Sequence, residues 1–275
     1  MIQKSDLTIH EIDEILAIIK NTYGYDFTSY SRASFHRRIH RFMDDLGIKT
    51  AFDLKHHLIN IPGGFDFFLE RITVNVTEMF RDPDFYKALK EKVLTMLSSY
   101  PIIKIWHAGC ATGEEVFSMA ILFHEAGLLQ RTRIYATDIN PVNLEKARKG
   151  IVPLDVMKDY TLNYIKSGGV NDFASYYTAR YNNALINKEL RKNIVFSQHN
   201  LVTDHGFNEF QLICCRNVMI YFNKDLQNRV INLFHDSLSN LGYLALGTKE
   251  SLIFTNIKNE FEAIDHNQKI FRRIH

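Results

Sequence analysis

The chain is short of cysteine, of net charge and of long apolar runs, and each shortage removes a class of protein. Cys110, Cys214 and Cys215 are the only three cysteines in 275 residues. An odd count with two neighbours is neither a disulfide framework nor metal-ligand spacing, and it points to a reducing compartment. A formal charge of +2 argues against a strongly basic nucleic-acid binder, although local patches survive that test. The opening MIQKSDLTIHE has no apolar h-region, and no run of about 18 apolar residues follows, so the expectation is a soluble cytoplasmic protein with no membrane insertion. Repeats and low-complexity segments are missing as well. Neither a Ser-His-Asp set nor a metal cluster stands out: His56-His57 and the other histidines read as surface or packed residues, and Cys214-Cys215 as inert packing in a buried strand. What is present is ordinary globular composition, 46% hydrophobic and 23% charged, with length enough for a large core in one or two domains.

The first ninety or so residues read as helices. Thr8 and Glu11 form a capping box with Leu7 stapled on Ile12, and Ile9, Ile12, Leu16 and Ile19 follow at helical spacing. SRASFHRRIHRFMDDLGI sets Phe35, Ile39, Phe42 and Leu46 on one stripe, with Gly47 as the stop. Thr50 opens a third helix carrying Phe52, Leu58 and Ile59, and Asp82-Pro83 starts another. From Pro101 the rhythm alternates. IIKIWHA, RIYATD, NIVFSQHN, FQLICCRN and GYLALGT are short apolar strands; helices are expected at Glu114 to Ala126, Pro141 to Lys149 and Asp225 to Leu241. Strand and helix in alternation imply an α/β fold with a parallel, doubly wound sheet. SYYTARYNNALIN breaks the pattern as two strands turning at Asn182-Asn183, a small antiparallel insertion.

In such folds ligands bind beyond the carboxyl ends of the strands. The first end is AGCATGEE, where Gly109 and Gly113 allow close backbone approach ahead of a helix N-terminus. Asp138 closes the next strand, 25 residues after Gly113, and a carboxylate there suits a ribose diol. Asn200 and the Leu201 backbone, after FSQH, are placed to read an adenine edge; ICCRNVMIYF leaves Arg216, Asn217 and Tyr221 at the mouth. A nicotinamide dinucleotide site prefers G-x-G-x-x-G against a pyrophosphate, whereas here G-x-x-x-G runs straight into Glu114 and Glu115. Paired carboxylates would repel pyrophosphate and suit a cation such as S-adenosylmethionine, with its ammonium and sulfonium.

ITVNVTEMFRDPDFY, IWHAGCATGEE, ATDINPVNLEKARKGI and CRNVMIYF resemble, in order over nearly the whole chain, the signatures of the CheR-type chemoreceptor glutamate O-methyltransferases. The resemblance implies a helical N-terminal domain at 1–80, a linker helix at 81–100, and a Rossmann-like S-adenosylmethionine-dependent methyltransferase domain at 101–275 with a β-subdomain insertion at about 170–192. It implies that Asn75, Thr77 and Arg81 lie over the methyl donor, that Asp138 holds the ribose and Asn200-Leu201 the adenine. One of the two glutamates, Glu115 in preference with Glu114 the alternative, meets the donor; Arg216, Asn217 and Tyr221 complete the pocket. Met79 and the segment GTKES, in place of a more usual GHSES, depart from the family pattern.

Methyl transfer to a carboxylate needs little acid–base help, because a glutamate with a pKa of about 4.3 is already a nucleophile. Alignment of oxygen, methyl and sulfur can contribute about 7–11 kcal/mol. Arg81 is the expected positioner of the acceptor carboxylate by a forked contact, with Tyr221 holding the same region. S-adenosylhomocysteine is then the product. Arg37, Arg38 and Arg41 in FHRRIHR read as a dock for an acidic helical receptor substrate or, equally, as a solvated face. The insertion around Tyr176 to Leu190 reads as a tether for a partner peptide added at its strand edge. Two rivals stand beside the receptor-methylating enzyme: a signalling module that binds the donor without turnover, and a methyltransferase of the same fold acting on a non-receptor protein substrate. No Asn-Pro-Pro-Tyr-like motif follows the fourth strand, so no nucleic-acid partner is expected.

Overall fold

Thr8 and Glu11 open the first helix by satisfying each other's backbone. The Glu11 amide donates to Thr8 Oγ1 at 3.2 Å and the Thr8 amide to Glu11 Oε2 at 2.8 Å. The computed structural model describes residues 7–73 and 77–274, so Asn75 lies outside the described residues. The chain divides into two units, Met1–Val74 with Tyr221–Gln227, and Asn75–Ile220 with Asn228–His275.

The smaller unit holds α1 (Ile9–Tyr23), α2 (Arg32–Leu46), α3 (Ala51–Asn60) and α4 (Gly64–Ile72). Ile15, Leu16 and Ile19 of α1, Phe35, Ile39 and Phe42 of α2, and Phe65 and Phe68 of α4 are buried together. Several expectations change here. Ile9 of α1 and Leu46 of α2, read as members of apolar stripes, are 69% and 40% exposed, and Met43 is buried in α2 instead. On α3 the buried stripe is Ala51, Leu54 and Leu58, while Phe52 and Ile59 are 76% and 50% exposed. The basic strip also divides: Arg37 and Arg41 face solvent, but Arg38 is half-buried. Its Nη1 donates to the Ile72 carbonyl at 2.7 Å, and its guanidinium lies 4.1 Å from the centre of the Tyr221 ring. A planar cation stacked on an aromatic face is a packing element rather than a solvated charge.

The larger unit opens with α5 (Pro83–Lys92) and α6 (Leu94–Leu97), then alternates: β1 (Ile103–Ala108), α7 (Glu114–Glu125), β2 (Thr132–Asp138), α8 (Pro141–Lys149), β3 (Ile151–Pro153), α9 (Met157–Lys166), β4 (Tyr177–Arg180), β5 (Asn183–Ile186), α10 (Lys188–Arg191), β6 (Ile194–Gln198), β7 (Phe210–Cys215), α11 (Lys224–Ser237), β8 (Leu238–Leu246), β9 (Phe261–Asp265) and β10 (Ile270–Arg273). The main sheet runs β6-β2-β1-β7-β8-β10-β9. Its first five strands are parallel, as the alternating pattern requires. β10 pairs antiparallel with both β8 and β9, a hairpin the sequence reading did not include. Because β2 and β6 lie on one side of β1 and β7 and β8 on the other, the strand order reverses between β1 and β7. That is the switch point at which such sheets leave a crevice.

Two boundaries move. The expected helix to Leu241 ends at Ser237, and β8 begins at once; Leu241, at φ 61°, lies in an irregularity that shifts the β7–β8 register between Phe210↔Leu238 and Leu212↔Tyr243. In the small antiparallel sheet, ordered β3-β5-β4, the turn falls at Tyr181-Asn182, because Asn183 pairs with both Arg180 and Pro153.

The core beneath the sheet includes Trp106, the single tryptophan, which is 0% exposed and whose Nε1 donates to Thr137 Oγ1 at 2.8 Å. Thr137→Val keeps the shape and removes the acceptor, leaving a buried indole N–H unpaired at a cost of about 1–3 kcal/mol. Urea unfolding followed by Trp106 emission is expected to show that loss; an unchanged midpoint would mean the bond contributes nothing.

Candidate active site

The turn after β1 is stitched to β2 before any side chain is considered. The amides of Gly109 and Cys110 both donate to the Thr137 carbonyl, at 2.8 and 2.9 Å. Gly109 has φ 79°, and a Cβ there would come within 2.5 Å of Val218 Cγ2, so glycine is required twice over. Ala111 follows at φ 47° and donates its amide to Asp138 Oδ2 at 2.8 Å, while Asp138 Oδ1 accepts from the Asn140 amide at 2.8 Å. Asn140, not Asp138, caps α8, through the Val142 amide at 2.9 Å. Asp138 is buried, and burial raises its carboxyl pKa against the opposing pull of these amides. The His199 amide donates to the Asp138 carbonyl at 3.2 Å, bringing the Asn200 turn beside it. There Asn200 Oδ1 accepts from the Val202 amide at 3.0 Å, and Leu201 is buried.

The glutamate pair divides its roles. Glu114 accepts from Thr112 Oγ1 at 2.6 Å and is pushed up by burial. Glu115 turns inward: Oε1 meets His107 Nδ1 at 3.0 Å and Oε2 accepts from Arg216 Nη1 at 2.9 Å. Arg216 Nη2 donates to Asp82 Oδ2 at 2.7 Å, and its guanidinium packs 3.9 Å from the centre of the Phe85 ring. The Arg216 side chain is 1% exposed, which corrects its expected place at the mouth: the β7 end buries it as an ion-pair hub. Burial opposes the Glu115 charge, but Arg216 and His107 prevail and hold its carboxyl at about 2.

Asp82 is therefore more than a helix start. At φ 56° it makes no capping bond to α5, and its carboxylate is spent on Arg216. Phe80, at φ 54°, is anchored by its amide to Ser118 Oγ at 2.9 Å, and Met79 is fully buried in the apolar slot expected of it. Arg81 thus sits between two residues in left-handed backbone, half-exposed, on the loop before α5 that also carries Thr77. Asn217, at φ 62°, follows the buried β7.

Arg81, Glu115, Asp138, Asn200, Leu201, Arg216 and Asn217 all belong to the larger unit: Glu115 in the first turn of α7, Asp138 as the last residue of β2, Asn200, Leu201, Arg216 and Asn217 just past strand ends, and Arg81 on the loop that Asp82 ties to them. Tyr221 belongs to the smaller unit, against Arg38. Sequence reasoning missed Asp82 and His107. A histidine inside an apolar strand is the signal for the latter, since a buried imidazole needs a polar partner. Among the described residues His107, Glu115 and Cys214 offer ligand atoms within 4.8 Å of one another. Burial raises the Cys214 thiol well above its ordinary range, and Arg216 occupies Glu115 Oε2, so this group is a hydrogen-bonded core rather than a cation site.

Carboxylates and a glycine turn gathered at the switch point suit a cationic nucleoside. Residues 75–270 match the family model "CheR methyltransferase, SAM binding domain", which makes this unit that of an S-adenosylmethionine-dependent methyltransferase. Residues 10–73 match "CheR methyltransferase, all-alpha domain", and the chain belongs to the CheR methyltransferase family. A Pseudomonas putida protein named "Putative methyltransferase Cher3" is 48% identical over 263 residues, 96% of each chain. A "Chemotaxis protein methyltransferase" of Listeria innocua is 30% identical over 86% of this chain and 88% of its own. One of the same name from Salmonella typhimurium is 28% identical over 95% and 90%.

Glu115 titrates near 2 in the folded chain against an ordinary 4.5, so the stability it contributes is complete above about 4.5 and is lost as pH falls toward 2. Removing one partner of a buried pair costs about 3–5 kcal/mol. Glu115→Gln is expected to lose that much at pH 7 by urea denaturation, with the gap to wild type narrowing on acidification below 4.5. A gap that ignores pH would contradict the ion-pair assignment.

Proposed function

We propose that this chain is a protein-glutamate O-methyltransferase acting on chemoreceptors, in the cytoplasm. The observation that carries the reading is the match of the larger unit to a donor-binding methyltransferase family whose relatives bear chemotaxis names, with acidic residues gathered at its switch point. S-adenosylmethionine, when bound, supplies a methyl on a sulfonium, which a carboxylate oxygen takes as the carbon–sulfur bond breaks and S-adenosylhomocysteine leaves.

The remaining steps fall to this chain. Asp138, its oxygens fixed by the Ala111 and Asn140 amides, accepts from the ribose hydroxyls. Asn200 and Leu201 face the adenine. The four carboxylates of Asp82, Glu114, Glu115 and Asp138 outnumber the two guanidinium groups of Arg81 and Arg216, and that excess favours a cation at the switch point. Arg81, with Asn75 and Thr77, covers the donor and orients the acceptor carboxylate, its backbone held by Phe80 and Asp82 on either side. No general base is needed, because the acceptor is already ionised at neutral pH. Arg216 acts from beneath, keeping Glu115 and the Asp82 loop in register, and Tyr221 serves beside Arg38 in the helical unit. The helical unit takes the acidic receptor helix, with Arg37 and Arg41 as its exposed cations. β4, an edge of the small sheet, offers a free strand side to a tether peptide.

Asp138→Ala is expected to weaken S-adenosylhomocysteine binding about tenfold to a hundredfold in calorimetry, the value of one or more bonds to a charged acceptor. Tritiated methyl transfer to purified receptor cytoplasmic domains should give a label released by mild base, and Arg81→Ala should remove most of that label. Donor binding with no labelled ester on any receptor would favour the signalling module instead. No binding by the folded wild-type chain would overturn the donor site.

A further inference from the structure

Another buried carboxylate governs the same strand ends from the loop after β8. β7 and β8 run parallel and adjacent, so the loops leaving their carboxyl ends lie side by side. Glu250, on the second of these loops, is 5% exposed. Its Oε1 accepts from the Val218 and Met219 amides at 2.9 and 2.7 Å. Its Oε2 accepts from the Asn217 and Gly247 amides at 3.1 and 2.6 Å. Four backbone donors converge on one side chain, and the Glu250 amide closes its own turn on the Gly247 carbonyl at 2.9 Å.

Gly247 leaves no room for anything larger, since a Cβ would lie 2.8 Å from the Asn217 nitrogen and 2.9 Å from Glu250 Oε2. The two residues that depart from the GHSES pattern, Thr248 and Lys249, are exposed and contribute no side chain to this nest. On its other side the held segment reaches the glycine turn, because Val218 fills the space where a Cβ on Gly109 would sit. One continuous contact therefore joins Glu250, the left-handed Asn217 with Val218 and Met219, and the turn after β1.

We propose that Glu250 is a positioning residue for the methyl donor: its carboxylate fixes Asn217–Met219 so that Val218 braces the Gly109 turn in its donor-binding shape. The inference rests on the reading that the donor occupies the β1/β7 crevice. Glu250 acts through the loop and touches no reacting atom. Chemistry dictates the residue type. Four N–H groups need an acceptor that carries no hydrogen of its own, and glutamine would turn an NH2 toward two of them. Aspartate is one methylene too short to reach the same four.

The full-length chain is compared with Glu250→Gln and Gly247→Ala by calorimetric titration with S-adenosylhomocysteine, at a temperature where each variant is fully folded. Amide hydrogen exchange over 217–219 and thermal unfolding are followed in parallel. Either variant is expected to bind about threefold to thirtyfold more weakly, the range for residues that act on a site through a neighbour. Exchange at Val218 and Met219 should quicken in Glu250→Gln. Glu262→Gln, which removes the partner of Arg272 in an exposed pair, should leave affinity unchanged. Should Glu250→Gln fail to fold, Gly247→Ala carries the test by crowding the same nest. Lower melting temperatures with wild-type affinity in both variants would overturn the proposal and leave Glu250 a structural residue. Wild type that binds no S-adenosylhomocysteine would instead remove the donor site on which the proposal rests.

Discussion

The architecture of the larger unit depends on where one guanidinium is buried. Arg216 lies between Glu115 and Asp82, stacked on Phe85 and closed from solvent. A lone buried cation is costly enough that it persists only with its charge matched. Two carboxylates meet that demand through Nη1 and Nη2, beside the face of Phe85, while Nε is buried without a hydrogen-bond partner. In meeting it they tie together the end of β7, the first turn of α7 and the loop bearing Arg81, with His107 of β1 attached through Glu115. Segments far apart in sequence are thereby held to one spacing, which sulfonium chemistry needs more than it needs an acid or a base.

Backbone strain gathers at the same place. Phe80, Asp82, Ala111 and Asn217 adopt positive φ without being glycine, and each lies on a loop of the candidate site. Such conformations cost on the order of 1–3 kcal/mol apiece and survive only where the surroundings over-determine them. The surroundings are visible: Ser118 holds Phe80, Arg216 holds Asp82, Asp138 holds Ala111 and Glu250 holds Asn217. Polar side chains on regular elements or adjoining turns thus fix the irregular ones.

Much of this was legible because it is local. Capping at Thr8, the glycine stops, the apolar strands and the strand-end positions of Asp138, Asn200 and Asn217 follow from short-range periodicity and turn chemistry. What was not legible depends on pairing across distance. Nothing in CRNV says that its arginine points inward to a glutamate 101 positions earlier and an aspartate 134 positions earlier. Phe52 and Ile59 fit helical spacing, but the neighbours chose Leu54 for the core instead. The end of α11 was misplaced because Leu238 through Leu246 is apolar enough for helix or strand, and only β7 and β10 decide between them.

The most direct measurement of the central claim is a crystal structure of the chain with S-adenosylhomocysteine. The account predicts the nucleoside against the Gly109–Ala111 turn with its ribose hydroxyls on Asp138, and the Glu115–Arg216–Asp82 chain intact beneath it. A nucleoside bound elsewhere, or one that binds here only after Arg216 has been drawn out to contact it, would contradict the account.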